Sequence, residues 1–94
     1  MNKRQELAKK RFNKCLKVLE VKGNLYSENN DPNANIKRIA KLTNLTPVES
    51  CMKILWNKIY KVDLSIKKNP NDLDESLTDA INYLVILESL LKEK

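Results

Sequence analysis

Ninety-four residues, with 18 Lys and Arg against 12 Asp and Glu, carry a formal charge of +6. A chain this short makes a single domain, 1–94, that buries only about 60 to 65% of the surface it exposes when unfolded. No apolar run approaches the roughly 18 residues of a membrane span, and the charged start MNKRQELAKKR is not followed by the apolar stretch of a signal peptide. Membrane and secreted classes are therefore excluded, and a cytoplasmic location is expected.

One glycine and three prolines among many Leu, Ile, Lys, Asn and Glu favour helices joined by short connections. Asn2 to Lys22 reads as the first helix, with Leu7, Ala8, Phe12, Cys15, Leu16 and Leu19 at three- and four-residue steps and Gly23 placed to end it. Its remaining face is nearly all lysine, the composition of a solvated surface. The segment GNLYSENND, residues 23 to 31, is a polar connection. Asp31 and Pro32 then open a second helix, about Pro32 to Thr43, whose inward side is expected to be Ile36, Ile39 and Ala40.

Thr46, Pro47 and Glu49 spell a capping box with proline at the first helical position. The third helix is expected from Pro47 to about Lys67, with Val48, Met52, Leu55, Ile59, Val62 and Ile66 in one seam. A fourth, capped by Asn71 or Asp72 after Pro70, repeats those steps with Leu73, Leu77, Ala80, Leu84, Leu87 and Leu91. Two matching seams predict an all-α, four-helix chain ending in a long antiparallel helical hairpin closed by KKNPND. So short a chain without disulfides is expected to gain further burial by assembling as a homo-oligomeric bundle.

Charge is unevenly placed: residues 1 to 70 sum to +10 and residues 71 to 94 to −4. A basic body invites anionic partners, nucleotides or nucleic acid among them. Cys15 and Cys51, without a CxxC spacing or any histidine, read as reduced core cysteines rather than a zinc or redox pair.

In DESLTDAINYL, residues 74 to 84, Glu75 and Asp79 stand one helical turn apart, with Asn82 and Tyr83 close by. If the hairpin forms as drawn, Glu49, Lys53, Asn57 and Tyr60 on the third helix face the same side. Carboxylates on facing helices hold divalent metals in helical bundles. A solvated stripe favouring the positive end of a helix is the plainer reading of Glu75 and Asp79. Asn82 fits that reading poorly, because it sits among Ile81, Tyr83 and Leu84, where an asparagine either specifies helix pairing or touches a ligand. Trp56 and Tyr60 read first as packing residues, on the hairpin or at a subunit contact.

The KGxxYS segment at Lys22 to Ser27, the Asn-rich start of the second helix and ESLTDAINYL on the last one together resemble small phage-type relatives of the MazG-like, all-α nucleoside triphosphate pyrophosphatase superfamily. The resemblance covers about Lys22 to Leu91. It implies a magnesium site made by an acidic cluster on one helix and an ExxD-type pair on a later one, holding a triphosphate for attack by water. Glu75 and Asp79 match the later pair with one extra residue between them, and Glu49 alone stands for the earlier cluster. With Lys53 and Asn57 where acids are expected, metal affinity should fall, while Lys53, Lys58 and Lys61 can neutralise phosphate directly.

The resulting expectation is a protein that binds a nucleotide or nucleotide-derived signal between subunits and sequesters it without turnover. A phage sponge acting against a host defence signal is one such role. Tyr26 would stack on a base; Ser27, Asn30, Asn33 and Asn35 would offer hydrogen bonds; Lys37 and Arg38 would meet phosphate near a helix start. The Asn, Ser and Asp of that segment are equally explained by their ordinary use in caps and loops. Lys53, Asn57, Tyr60, Asp79, Asn82 and Tyr83 complete the expected ligand set. No cofactor is expected in that reading. The alternative is a magnesium-dependent pyrophosphohydrolase using Glu49, Glu75 and Asp79, and a further one is a basic nucleic-acid-binding module, disfavoured by scattered lysines and only three arginines.

Overall fold

The computed structural model describes residues 1–26 and 31–93. Four helices follow one another: α1 (Lys3–Tyr26), α2 (Ala34–Thr43), α3 (Pro47–Lys67) and α4 (Leu73–Lys92), with a 3-10 turn, Pro70–Asp72, leading into α4. None of these helices is long and apolar enough to cross a membrane. Asn2 opens α1: the Gln5 backbone N–H donates to Asn2 Oδ1 at 2.8 Å, and the Asn2 backbone N–H donates to Gln5 Oε1 at 3.0 Å. The helix then runs through Gly23 instead of ending there, because Gly23 keeps an ordinary negative φ and never takes the left-handed conformation that terminates a helix.

α2 starts at Ala34, two residues later than the proline suggests. Asp31 Oδ1 accepts from the Asn33 backbone N–H at 2.9 Å, so Asp31 caps the turn that precedes the helix. Its end is set by Asn44, whose φ of 58° is left-handed, while the Leu45 N–H closes back on the Ala40 carbonyl at 2.9 Å. The capping box of α3 is present as the sequence spells it. Glu49 N–H donates to Thr46 Oγ1 at 3.1 Å, and Thr46 N–H donates to Glu49 Oε1 at 3.0 Å.

α3 and α4 form the expected C-terminal hairpin, with α2 packed on α3 and α1 lying against α4. The core is small. Ile36, Cys51 and Leu90 are buried together, with Val48, Tyr83, Ile86 and Leu87 packed against them. The two long seams meet only in part: Val48 and Leu87 pack against the core. Leu55 is buried, but Ile59, Ile66, Leu84 and Leu91 remain 43, 62, 53 and 48% exposed. Both helices are rotated so that Cys51 and Ser65 of α3, and Thr78, Asn82 and Leu90 of α4, point inward. The rotation follows from what α4 must satisfy on two sides. Ser65 and Ser76 share a hydrogen bond of 2.8 Å across the hairpin, and on the opposite flank Thr78 and Asn82 meet α1. Ile39, expected to face inward, is 36% exposed beside buried Ile36 and Ala40.

Polar contacts fasten α1 to α4. Arg11 Nη1 donates to Thr78 Oγ1 at 2.9 Å and to the Asp74 carbonyl at 3.0 Å, and its guanidinium pairs with the Asp74 carboxylate at 2.7 Å. Lys14 also pairs with Asp74. Deeper in, Asn82 Nδ2 donates to the Cys15 carbonyl at 3.2 Å. Both cysteines are free and buried, and burial pushes each thiol pKa up, which disfavours the reactive thiolate.

Candidate functional site

The middle of α4 forms the floor of a groove between α1 and α3. Asp79 stands at its centre: Lys22 at the far end of α1 reaches Asp79 Oδ1 at 3.5 Å, and Lys58 from α3 reaches Asp79 Oδ2 at 3.7 Å. The Asp79 carboxylate keeps only 15% of its side-chain surface exposed, and Lys58 keeps 20%. One turn along α4, the Tyr83 ring lies 5.6 Å from the Lys58 ammonium, within cation–π range.

On one side of Asp79 the groove opens into a hollow of about 330 Å³ at the hairpin end, bordered by Lys61, Ser65, Asn69, Glu75 and Ser76. On the other side a small cleft of about 60 Å³ lies between Lys22, Asn33, Asn35, Tyr83 and Ile86. The KG pair at the end of α1, the Asn-rich start of α2 and Tyr83 of α4 thus converge, although they are separated by up to about sixty positions in the chain. Pairing explains part of this chemistry without a ligand: two ammonium groups and a carboxylate neutralise one another at a half-buried helix junction.

Asn82 supplies a second feature. It is 4% exposed, and its Oδ1 is a buried side-chain atom with no hydrogen-bond partner among the described residues. A buried acceptor left unpaired costs about 1 to 3 kcal/mol, and the same amide is anchored to α1 through its Nδ2.

The remaining expected residues fall into three groups. Asn33 and Lys37 are held in a clamp between α2 and the end of α4. Asn33 Nδ2 donates to Ser89 Oγ and Glu93 Oε1, each at 3.1 Å, and the Lys37 ammonium lies 2.6 Å from Asp31 and 3.1 Å from Glu93. Those contacts hold the Asp31 carboxyl below its ordinary pKa, chiefly through the hydrogen bond from Lys37, and raise Lys37 through Asp31 first and Glu93 second. Arg38 is exposed on α2. Lys53, Asn57 and Tyr60 are exposed on α3, more than a quarter-turn round from Lys58, so helical spacing turns them away from Asp79. Tyr26 closes the backbone of α1, its side chain is not among those described, and Ser27 and Asn30 lie outside the described residues.

The magnesium set implied by the resemblance does not come together. Lys58 marks the level of Asp79 on α3, and Glu49 lies nine residues earlier, about 13 Å along the axis. Glu49 is also committed to the capping box, where the Thr46 backbone N–H and hydroxyl hold its carboxyl below the ordinary pKa. Among the described residues no group of three acidic or thiol side chains is placed to hold a metal ion. Asp79 faces two lysines, the wrong neighbours for a cation site. Lys22 is the participant that sequence reasoning undervalued, and its signal was the KG pair itself, whose lysine sits one turn before the end of α1.

No family model, curated protein or solved structure matches the chain.

Proposed function

We propose that the chain is a small MazG-like protein that self-associates, binds a nucleotide-type molecule in the α1–α3 groove and holds it without turnover. The observation that carries this reading is the convergence of Lys22 and Lys58 on Asp79 beside the Tyr83 ring. Phosphate groups suit the two ammonium ions, which exchange one carboxylate partner for another anion at little cost. Carboxylates at Asp79 and Glu75 accept hydrogen bonds from ribose hydroxyls or an exocyclic amine, and an aromatic face takes a base. Bare inorganic phosphate would use only the first of these. The poor fit of the acids to magnesium favours retention over hydrolysis, since splitting a triphosphate relies on metal ions to offset charge and activate water.

The test is to release any bound small molecule from purified protein by heat and identify it by mass spectrometry, and to titrate candidate nucleotides by calorimetry. Expected is a phosphorylated nucleoside derivative that Lys58→Ala and Asp79→Ala fail to retain while keeping their helical content. Turnover of nucleoside triphosphates with magnesium, abolished by Asp79→Ala, would overturn the holding role. Tight duplex binding that collapses between about 50 and 200 mM salt would replace the reading with a nucleic-acid module.

A further inference from the structure

Part of the hairpin's apolar surface lies outside the fold, where Leu73, Leu77, Ala80 and Ile81 are only half-buried. On α4, the positions turned away from Thr78, Asn82 and Tyr83 are Leu73, Leu77, Ala80, Ile81, Leu84 and Leu91, interrupted by Glu88. Leu84 and Leu91 are about half exposed, and Ile59 and Ile66 continue the apolar surface along α3. A groove of about 280 Å³ extends it towards α1, bordered by Leu7, Ala8, Leu77 and Ile81 together with Arg4 and Arg11. The inner face of the same helix mixes Ile86, Leu87 and Leu90 with a threonine, an asparagine and an aspartate, so the apolar side chains of α4 are divided between its two sides.

The areas say how much is uncovered. The chain exposes 7238 Å², whereas a folded monomer of 10.9 kDa exposes about 5,600 Å². The radius of gyration of 14.5 Å likewise exceeds the roughly 12.4 Å of a compact chain of this length. An excess of about 1,600 Å² per chain matches what one partner contributes to an obligate homodimer interface, and is twice the share in a standard-sized transient contact. A self-complementary apolar stripe is also what a two-fold interface requires, because the same patch must serve both subunits.

We propose that the outer face of α4, flanked by Ile59 and Ile66 of α3 and by Leu7 of α1, is the surface on which a second copy of this chain docks. The two stripes pack together as the missing layer of a helical bundle. This assignment rests on the self-association proposed above, to which it gives a surface, and is independent of what the α1–α3 groove binds.

The measurement is molar mass by light scattering across a concentration series, together with thermal unfolding followed by circular dichroism, on the full chain without added ligand. Wild-type protein is expected at twice 10.9 kDa or a higher multiple, with a melting temperature that rises with protein concentration. Leu84→Glu and Leu91→Glu, at half-exposed positions that a lone chain would tolerate, are expected to halve the mass or abolish helicity. Leu42→Glu, at an 81% exposed position on α2, is expected to leave mass and melting unchanged. A wild-type mass of one chain throughout the series would overturn the proposal. So would an oligomer whose mass and concentration dependence survive both Leu84→Glu and Leu91→Glu.

Discussion

At the scale of single residues, two polar groups show how position decides the role of a side chain. Glu49 reads as a candidate metal ligand by its place on α3, yet its carboxylate is used by Thr46. Because folding lowers its pKa, Glu49 stabilises the folded state at pH above its ordinary value of 4.5, and that contribution is lost as pH falls through the lowered value. Glu49→Gln, which keeps an acceptor but cannot titrate, is expected to flatten the acid limb of a urea-monitored stability–pH profile, and Thr46→Ala to cost about 1 kcal/mol at neutral pH. Asn82 is the opposite case, a polar group whose burial the sequence did foretell through its apolar neighbours. Its Nδ2 is bonded to the Cys15 carbonyl, so Asn82→Asp places a carboxylate against an acceptor in a buried site. A loss of about 3 kcal/mol or more is expected by chemical denaturation.

At the scale of elements, the start of α3 was legible, whereas the start of α2 and the end of α1 were not. Thr46-Pro47 names its helix because capping is chemistry between neighbours in sequence, while Asp31 caps a turn ahead of α2, whose N-cap is Asn33. Gly23 permits a left-handed stop but does not compel one, and α1 continues to Tyr26. The two outcomes give opposite signs for one substitution. With nothing within 4 Å of a Cβ at Gly23, Gly23→Ala is expected to stabilise the chain by about 0.5 to 1 kcal/mol in thermal unfolding, whereas a left-handed residue there would lose stability. The seams of α3 and α4 have the right spacing, but only Val48, Leu55 and Leu87 of them face inward, while Ile59, Ile66, Leu84 and Leu91 turn outward. Periodicity reports that a helix has an apolar side; it does not say which neighbour that side meets. Ser65 with Ser76, and Asn82 with Cys15, decided the rotation through contacts that no hydrophobic pattern contains.

At the scale of the whole molecule, the hairpin and its connections were readable, and the candidate groove only in part. Asp79, Asn82 and Tyr83 announced themselves by sitting together on one helix, and Asn35 by its Asn-rich setting. Lys22 could not be paired with Asp79 from sequence, because 57 positions separate them and only the crossing of α1 over α4 brings them within 3.5 Å. Lys53, Asn57 and Tyr60 share a side with Asp79 only in the facing that the apolar seams suggest, and the orientation of α3 turns them away from it.

The manner in which α1 is fastened has its own consequence. Arg11, Lys14, Asn82 and Lys22 bind it by directional, partly solvated contacts, where α3 and α4 share an apolar interior. Unfastening α1 therefore sacrifices little oily area, and its backbone amides should trade hydrogen for deuterium well ahead of those in α3, faster still once 0.5 M sodium chloride weakens the Asp74 and Asp79 pairs. An occupant bridging Lys22 and Lys58 would stitch the strut back down, and mass spectrometry of exchanged peptides would register it as slowing confined to the last turns of α1.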